Sequence, residues 1–432
     1  MKRFTLFPIM FALVCGLAFS TGQAEKPLDP EAEIITISLL GGGDLVTPGG
    51  VSLLKTALAR LRVDYPNVEL KMIQVDTSDG TTRSMDALTK AGTPPDIYTD
   101  YLGRFGKFLQ PGFALDLSKY MDLSDYLPGS VVEREGQALA VATPGSPQAL
   151  AVNLDLLREI GYPAPNFDTW TIADFLQLCE AVKQRTDGQK WGTGAFAANP
   201  SGDYLMRNWA ASFGANFYED GDYTQTAFKG PAARQTLAFF KTLMERGYIP
   251  EESSQLTDDD YVLQWAYGEF AVVPFFVGWL KPYFETAIKQ GMIEKPFAHI
   301  FVQYPRAPGV ERVPLYQSTG GFMAVKSADE ERNKILARFV ELMNSPESQL
   351  MRMYVGGDYP NLKSLGRSKN WNTVNAIFGA NGNYDLGMST ETYSETRSKF
   401  PELLQMIWSG ADQAEALEWY QAEMNKILEK NK

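Results

Sequence analysis

A chain of 432 residues exceeds the roughly 250–300 residues at which one hydrophobic core stops growing, so the length predicts two domains. With 44% hydrophobic and 21% charged residues, the composition is typical of a soluble globular protein. The formal net charge of −12 argues against non-specific binding to nucleic acid or to an anionic membrane, because both carry negative charge themselves.

Residues 1–24 have the pattern of a secretory signal peptide. Lys2 and Arg3 precede an apolar stretch over residues 4–19, and small residues stand where cleavage after position 24 would require them. This segment holds two basic residues and no acidic one, so its removal would change the net charge from −12 to −14. The alternative is cleavage before Cys15 with attachment of a lipid. Either route predicts an exported protein of the periplasm.

The next 90 residues alternate strands and helices. Strands are predicted at residues 33–40, 68–75 and 96–100, and helices around residues 53–61, 81–91 and 105–109. Strands that alternate with helices pair in parallel through right-handed crossovers. The first part of the chain therefore predicts an α/β domain with a parallel sheet.

Further along the chain, two short strands at 137–142 and 149–153 flank residues 143–147, where two prolines and a glycine indicate a crossing between lobes. Residues 191–290 read as mostly helical, with one strand at 270–277. Pro274 within that strand predicts an edge position or an early strand end, since proline has no N–H for the ladder. The other predicted strands lie at 299–304 and 320–325, and the other predicted helices at 155–160, 230–246, 258–267, 328–343, 346–354, 371–378, 400–408 and 411–430. One more helix is predicted to start after Thr171.

Asp100 and Tyr101 stand at the carboxyl end of the predicted strand 96–100. In an open α/β sheet, the carboxyl ends of the strands face the ligand crevice. A carboxylate at that position can accept two hydrogen bonds from ligand hydroxyl groups. The alternatives are that Asp100 caps the segment that follows and that Tyr101 covers the end of the sheet.

Five segments, in this order, resemble the extracellular solute-binding proteins of ABC importers, and in particular the carbohydrate-binding family that includes maltose-binding protein. They are residues 91–97 (AGTPPDI), 112–117 (GFALDL), 153–170, 268–279 and 320–347. The chain departs from the family pattern at the three glycines 41–43, where many members have a bulky residue, and over residues 364–395. Both departures bear on the identity of the ligand.

The resemblance implies an α/β fold of two lobes, each a mainly parallel sheet flanked by helices. The lobes would be joined by three hinge crossings and would close around a ligand between them. The expected crossings lie near residues 143–147, 316–319 and 355–360. The expected N-terminal lobe comprises residues 33–145 and 318–357, and the expected C-terminal lobe comprises residues 146–317 and 358–432.

The resemblance also selects candidate ligand-binding residues. Trp279 matches a position that stacks on sugar in carbohydrate-binding relatives, and Tyr204 resembles an aromatic residue that lines the second lobe. Other polar, glycine and aromatic candidates follow from their positions near strand ends, crossings or the expected cleft: Gly43, Asp44, Ser146, Gln148, Trp209, Ser318, Gly320 and Asp358. Gly43 and Asp44 belong to a glycine-rich turn, for which a plain turn or room for a bulky ligand is favoured over phosphate binding.

The function implied by the resemblance is capture of a mono- or oligosaccharide by a monomeric protein that delivers it to the transmembrane permease subunits of an ABC transporter. No catalysis, metal or cofactor is expected, since the single histidine, His299, lies within a predicted strand, and Cys179 has no second cysteine after cleavage. A non-sugar solute (a polyol, a phosphodiester or a peptide-like compound) is the first alternative. The second is a secreted polysaccharide-active enzyme, although no local motif singles out a pair of carboxylates.

Overall fold

A computed structural model describes residues 33–41, 48–75, 80–198, 203–219, 222–276, 279–365, 373–388 and 390–431. The strands are β1 (Ile35–Gly41), β2 (Val68–Gln74), β3 (Ile97–Tyr101), β4 (Val131–Arg134), β5 (Gln137–Ala142), β6 (Ser146–Asn153), β7 (Trp191–Thr193), β8 (Phe270–Phe276), β9 (His299–Val302), β10 (Gln317–Ser318) and β11 (Gly320–Ala324).

The helices are α1 (Pro48–Asp64), α2 (Gly80–Lys90), α3 (Leu154–Glu159), α4 (Ile172–Arg185), α5 (Asp203–Arg207), α6 (Gly230–Glu245), α7 (Asp258–Ala266), α8 (Leu280–Lys289), α9 (Glu330–Met343), α10 (Pro346–Gly356), α11 (Thr373–Asn381), α12 (Tyr393–Thr396), α13 (Lys399–Trp408) and α14 (Gln413–Leu428). The expected signal peptide, Cys15, Gly43 and Asp44 lie outside the described residues.

The described strands form two sheets, which define the first and the second lobe. The first has six strands in the order β2-β1-β3-β11-β5-β4. The second has the order β10-β6-β8-β7, and β9 also pairs with β6. Two separate α/β sheets confirm the predicted two-lobe fold.

The expectation of mainly parallel sheets holds only in part. β1 is parallel to β2 and β3, but β11 is antiparallel to β3 and β5, and β6 is antiparallel to β8. The first residue of β11, Gly320, pairs with Tyr101, the last residue of β3. A strand that enters from the other lobe starts at the cleft, where the parallel strands end, and therefore runs in the opposite direction.

The core of the first lobe has two layers, one on each face of its sheet. Leu39 and Phe322 pack in one layer with α1 and α9, whereas their neighbours Leu40 and Met323 pack in the other. This alternation is the period of two that a strand covered on both faces requires. The second lobe has a single large core that is rich in tryptophan, tyrosine and phenylalanine rings.

Asp96 joins three elements of the first lobe just before β3. Its carboxylate accepts hydrogen bonds at 2.7 Å from the backbone N–H and the hydroxyl group of Ser38 on β1, and from Nε and Nη2 of Arg332 on α9. Burial opposes ionisation of this carboxyl group, but the hydrogen bonds from Arg332 and Ser38 outweigh it and lower the pKa of Asp96. The start of β3 is therefore held by directional, charge-assisted bonds.

The chain passes between the two sheets at residues 143–145 and again at Thr319. Ser146 pairs with Ser318, and the Thr319 hydroxyl group donates to the Thr143 carbonyl at 2.8 Å. Gly145 exchanges two backbone hydrogen bonds with Tyr359. The segments that we predicted as hinge crossings are thus bonded to one another.

The chain after Tyr359 still lies against the first lobe. The Asn361 carbonyl accepts a hydrogen bond from the Leu127 N–H at 2.8 Å, and Leu362 belongs to the first-lobe core. The chain packs on the second lobe again from α11. The lobe boundary that we placed between residues 357 and 358 stays a prediction.

One local prediction was wrong, and another holds only in part. The helix expected around residues 105–109 is a pair of 3-10 turns, Leu102–Arg104 and Gly106–Phe108. Pro274 does not lie on an edge strand, since β8 has β6 on one side and β7 on the other. β7 pairs only as far as Val272, however, and the Pro274 carbonyl accepts a hydrogen bond from the Tyr261 hydroxyl group at 2.7 Å. The proline is tolerated because the neighbouring strand has already ended there.

Candidate ligand-binding site

Asp100 lies near the end of β3 and is already hydrogen-bonded within the first lobe. One carboxylate oxygen accepts a hydrogen bond from the Tyr98 hydroxyl group at 3.0 Å. The other accepts from the Tyr101 N–H at 2.7 Å and from Arg104 Nη1 at 3.1 Å. Only 9% of the Asp100 side chain and 15% of the Arg104 side chain are exposed, so this ion pair is largely desolvated. A carboxylate beside a guanidinium group offers both acceptors and donors to a ligand.

Tyr101 connects the end of β3 to the second lobe. Its hydroxyl group is hydrogen-bonded to that of Tyr316 and, at 2.8 Å, to that of Tyr393. Burial, together with these neighbouring hydroxyl groups, raises the pKa of Tyr101 well above its ordinary value. The Tyr101 hydroxyl group therefore remains protonated, and it joins Tyr316 and Tyr393 in one network between the lobes.

A row of aromatic rings continues from Tyr101 along the second lobe. Tyr204 lies 6.2 Å from Tyr101 between ring centroids, and it stacks on Tyr316 at 5.0 Å. Phe276, at the end of β8, lies 5.6 Å from Tyr204 and 5.3 Å from Trp279. Trp279 directly precedes α8 and is 40% exposed. The row thus begins in a buried hydroxyl network and ends in an indole ring that faces solvent.

The polar candidates near the crossings lie beside this network. Ser146 and Ser318 pair between β6 and β10, and Gly320 pairs with Tyr101 between β11 and β3. A Cβ atom at Gly320 would lie 3.2 Å from the Asp100 carbonyl oxygen, which is closer than ordinary contact. The structure therefore brings Ser146, Ser318 and Gly320 to the strand end that carries Asp100 and Tyr101.

Two predicted candidates lie in the core of the second lobe instead. Gln148 has no exposed surface, and its amide donates to the Leu205 carbonyl and the Tyr304 hydroxyl group. Trp209 is 1% exposed and packs against Phe175 and other rings. In this arrangement neither side chain reaches the surface of the cleft.

Asp358 lies next to the third crossing. Its carbonyl accepts a hydrogen bond from the Asn375 side chain at 3.3 Å, so its backbone is tied to α11. Gly43 and Asp44 fall in a gap between described residues, so their role as ligand contacts stays a prediction.

Sequence reasoning missed Arg104, Tyr316 and Tyr393. Arg104 could have been found, because it stands four residues after Asp100 and carries the opposite charge. Tyr316 lies within a segment that we predicted as a crossing. Tyr393 lies in residues 364–395, the segment without the family motifs described above, so nothing in the sequence connects it with Tyr101.

The described residues contain no group of three or more His, Cys, Asp or Glu side chains that could hold a metal ion. His299 packs among aromatic rings of the second lobe, with Trp265 at 5.7 Å and Phe284 at 5.4 Å. Cys179 is fully buried, and burial raises the pKa of its thiol. None of the helices that the structure describes is long and apolar enough to span a membrane.

Several solved structures share this fold over almost their whole length. A cyclic α-maltosyl-1,6-maltose-binding protein from Arthrobacter globiformis is 15% identical, with a TM-score of 0.73 over 92% of this chain and 100% of that one. Maltose-bound MalE3 of T. maritima is 18% identical, with a TM-score of 0.69 over the same shares of the two chains.

A third similar structure is an ABC transporter solute-binding protein from Thermotoga lettingae, bound with α-D-tagatose. It is 16% identical, with a TM-score of 0.70 over 91% of this chain and 99% of that one. At these identities the similarity establishes the fold. The sequence adds a family, since residues 57–379 match the model of the bacterial extracellular solute-binding proteins. The chain is a member of that family.

Proposed function

We propose that this protein is the substrate-binding component of an ABC transporter and that it binds a carbohydrate between its two lobes. The observation that carries the proposal is the row of aromatic rings that ends in the exposed Trp279 and continues, through Tyr204 and Tyr101, to Asp100 and Arg104. The structural relatives from Arthrobacter globiformis, T. maritima and Thermotoga lettingae, which bind or contain sugars, support the same class of ligand.

A sugar presents two kinds of surface, and this site offers a partner for each. The C–H face of a pyranose ring is apolar and stacks on an aromatic ring such as the indole of Trp279. The hydroxyl groups around the ring both donate and accept hydrogen bonds. The carboxylate of Asp100 accepts from one hydroxyl group while the guanidinium group of Arg104 donates to its neighbour, and charge-assisted bonds of this kind are the strong ones.

Capture requires motion of the lobes about the crossings. The segments at 143–145 and 316–319 are short and mutually hydrogen-bonded, so rotation there would move each sheet as a rigid body. Under this proposal the protein acts as an exported monomer, delivers its ligand unchanged to the permease subunits, and needs no metal, cofactor or catalytic group.

The proposal is tested by a thermal-shift screen of the purified protein over mono- and oligosaccharides, followed by calorimetric titration of each compound that shifts the unfolding midpoint. We expect at least one sugar to bind with 1:1 stoichiometry and to be recovered unchanged. Binding only to a polyol, a phosphodiester or a peptide would replace the carbohydrate with that class. Turnover of an oligosaccharide to shorter products would overturn the binding-protein function.

A further inference from the structure

The C-terminal part of the chain contains a segment that packs on the second lobe and also contacts the first. We name residues 390–397 the bridging segment. Before it, the Tyr384 hydroxyl group donates to the Ala215 carbonyl at 2.6 Å, and Asn383 forms a bridge with Leu315. After it, α13 packs on α6 and α14. Both ends of the bridging segment are therefore anchored in the second lobe.

Three polar contacts join the bridging segment to the first lobe. The Tyr393 hydroxyl group is hydrogen-bonded to that of Tyr101 at 2.8 Å. The Ser394 hydroxyl group donates to the Gly103 carbonyl at 3.4 Å, and Glu391 is ion-paired with Arg134. These contacts involve β3, the turn that follows it and β4, so they reach well across the first-lobe sheet.

The first lobe has room for this segment because two positions lack a side chain. A Cβ atom at Gly103 would lie 2.3 Å and 2.6 Å from two carbons of the Tyr393 ring, which is closer than atoms can approach. At Gly106 it would lie 3.2 Å from the Glu391 carbonyl oxygen. Tyr393 itself has no exposed surface. The bridging segment and the first lobe are thus complementary in shape where they meet.

We propose that the bridging segment is a latch, which holds the two lobes together through contacts supplied by the protein itself. Each contact exists only while the end of β3 lies against the second lobe, so the segment stabilises that arrangement relative to an open one. The contacts of the protein itself then supply part of the free energy of closure. A ligand that binds between the lobes spends less of its binding free energy on closure, so its apparent affinity increases. This proposal goes beyond the binding function and does not depend on the identity of the ligand.

A substitution in the first lobe provides the sharpest test. Gly103→Ala places a methyl group against the Tyr393 ring, which supplies the three atoms nearest to it. We expect small-angle X-ray scattering of the ligand-free protein to show a larger radius of gyration for this variant. The ratio of open to closed molecules should increase about fivefold, which is the order expected for loss of one hydrogen-bonded contact.

The double variant G103A/Y393A separates a latch from general damage. Once the Tyr393 ring is absent, the three atoms nearest to the added methyl group are gone, so G103A should change the radius of gyration of Tyr393→Ala no further. Tyr384→Phe is the matched control, because it removes a buried tyrosine hydroxyl bond that lies entirely within the second lobe. We expect it to lower the unfolding midpoint without a change in lobe separation.

The ion pair gives a second, independent comparison. Glu391→Gln weakens the contact with Arg134 of the first lobe, whereas Glu395→Gln weakens a pair with Lys430, which belongs to the second lobe. Only Glu391→Gln should shift the scattering curve toward the open form. An unchanged radius of gyration in G103A, Y393A and E391Q, or equal additive effects of G103A and Y393A, would overturn the latch.

Discussion

β3 of the first lobe and β8 of the second both end at the cleft, but their side chains are held there in different ways. β3 is preceded by one hydrogen-bonded carboxylate, Asp96, and contains another, Asp100. β8 has no charged residue, all seven of its residues are buried, and rings surround its cleft end. One strand is positioned by directional charge-assisted bonds and the other by close packing.

The difference predicts how each wall responds to change. A hydrogen-bonded carboxylate is sensitive to the loss of a charge and to pH, because its partners are left buried without an acceptor. A packed aromatic wall is sensitive to the loss of volume, because a cavity remains where the ring was. The comparison between β3 and β8 is therefore tested by substitutions that remove a charge near β3 or a ring near β8.

The largest effect should follow from removal of the Trp209 ring, which packs behind the aromatic wall against Phe175, Phe239 and Tyr304. We expect Trp209→Ala to lower the free energy of unfolding by about 3–5 kcal/mol, since it leaves a large cavity in the core. Urea denaturation measures this. Tyr354→Ala, which removes a ring that is 73% exposed, should change it by less than about 0.5 kcal/mol.

Trp209 was also a candidate ligand contact, and the same variant distinguishes the two roles. If Trp209→Ala retained the stability of the parent and lost ligand affinity instead, the ring would belong to the binding site. A core role predicts the reverse, with ligand affinity of the folded protein nearly unchanged.

A smaller but pH-dependent effect is expected at Asp96. Asp96→Asn places an amide N–H₂ group against the donors of Ser38 or Arg332. We expect the free energy of unfolding at neutral pH to fall by about 2–3 kcal/mol, which is below the range for loss of one partner of a fully buried ion pair. Thermal or urea unfolding at pH 7 measures it. Retention of the parent's stability would show that the network does not hold β3 in place.

The pH dependence of this contribution has a defined sign. Because folding lowers the pKa of Asp96, its stabilisation is fully present above the ordinary value of about 4 and is lost as the pH falls through the lower pKa of the folded state. The difference in unfolding free energy between the parent and Asp96→Asn should therefore decrease below about pH 4. A difference that stayed constant down to pH 2 would contradict the role of the charge.

The contrast between the strands also explains which features the sequence could predict. Strands and helices followed from periodicity, and the carboxyl end of β3 followed from the order of elements. Gln148 was predicted to face the cleft because polarity near a crossing suggested exposure, whereas every residue of β6 is buried. Arg332, 236 positions from Asp96, and Tyr393, 292 positions from Tyr101, are neighbours only through folding, so no local pattern could connect them.

Trp279, at the exposed end of the aromatic row, is tested by the affinity for sugar rather than by the stability of the fold. We expect Trp279→Ala to weaken sugar binding by about 1–2 kcal/mol, or roughly fivefold to thirtyfold, as the stacking surface is lost. Isothermal titration calorimetry measures this. Ile288→Ala, at the other end of α8 and similarly exposed, is the matched control. Equal affinities for the parent and Trp279→Ala would remove this ring from the site.

The smallest effect is expected at Asp100, and it decides between the two roles that the sequence left open. Asp100→Asn keeps the shape of the side chain but exchanges one acceptor oxygen for a donor, so we expect sugar affinity to fall by about 1 kcal/mol, or roughly fivefold. Calorimetric titration measures it. Asp86→Asn, which breaks an exposed pair with Lys107, should leave the affinity unchanged.

If Asp100→Asn instead left the affinity intact and lowered the unfolding midpoint, the carboxylate would serve only Tyr98, Arg104 and the turn after β3. The polar wall would then be a support for the fold, and recognition of the ligand would fall to the aromatic wall.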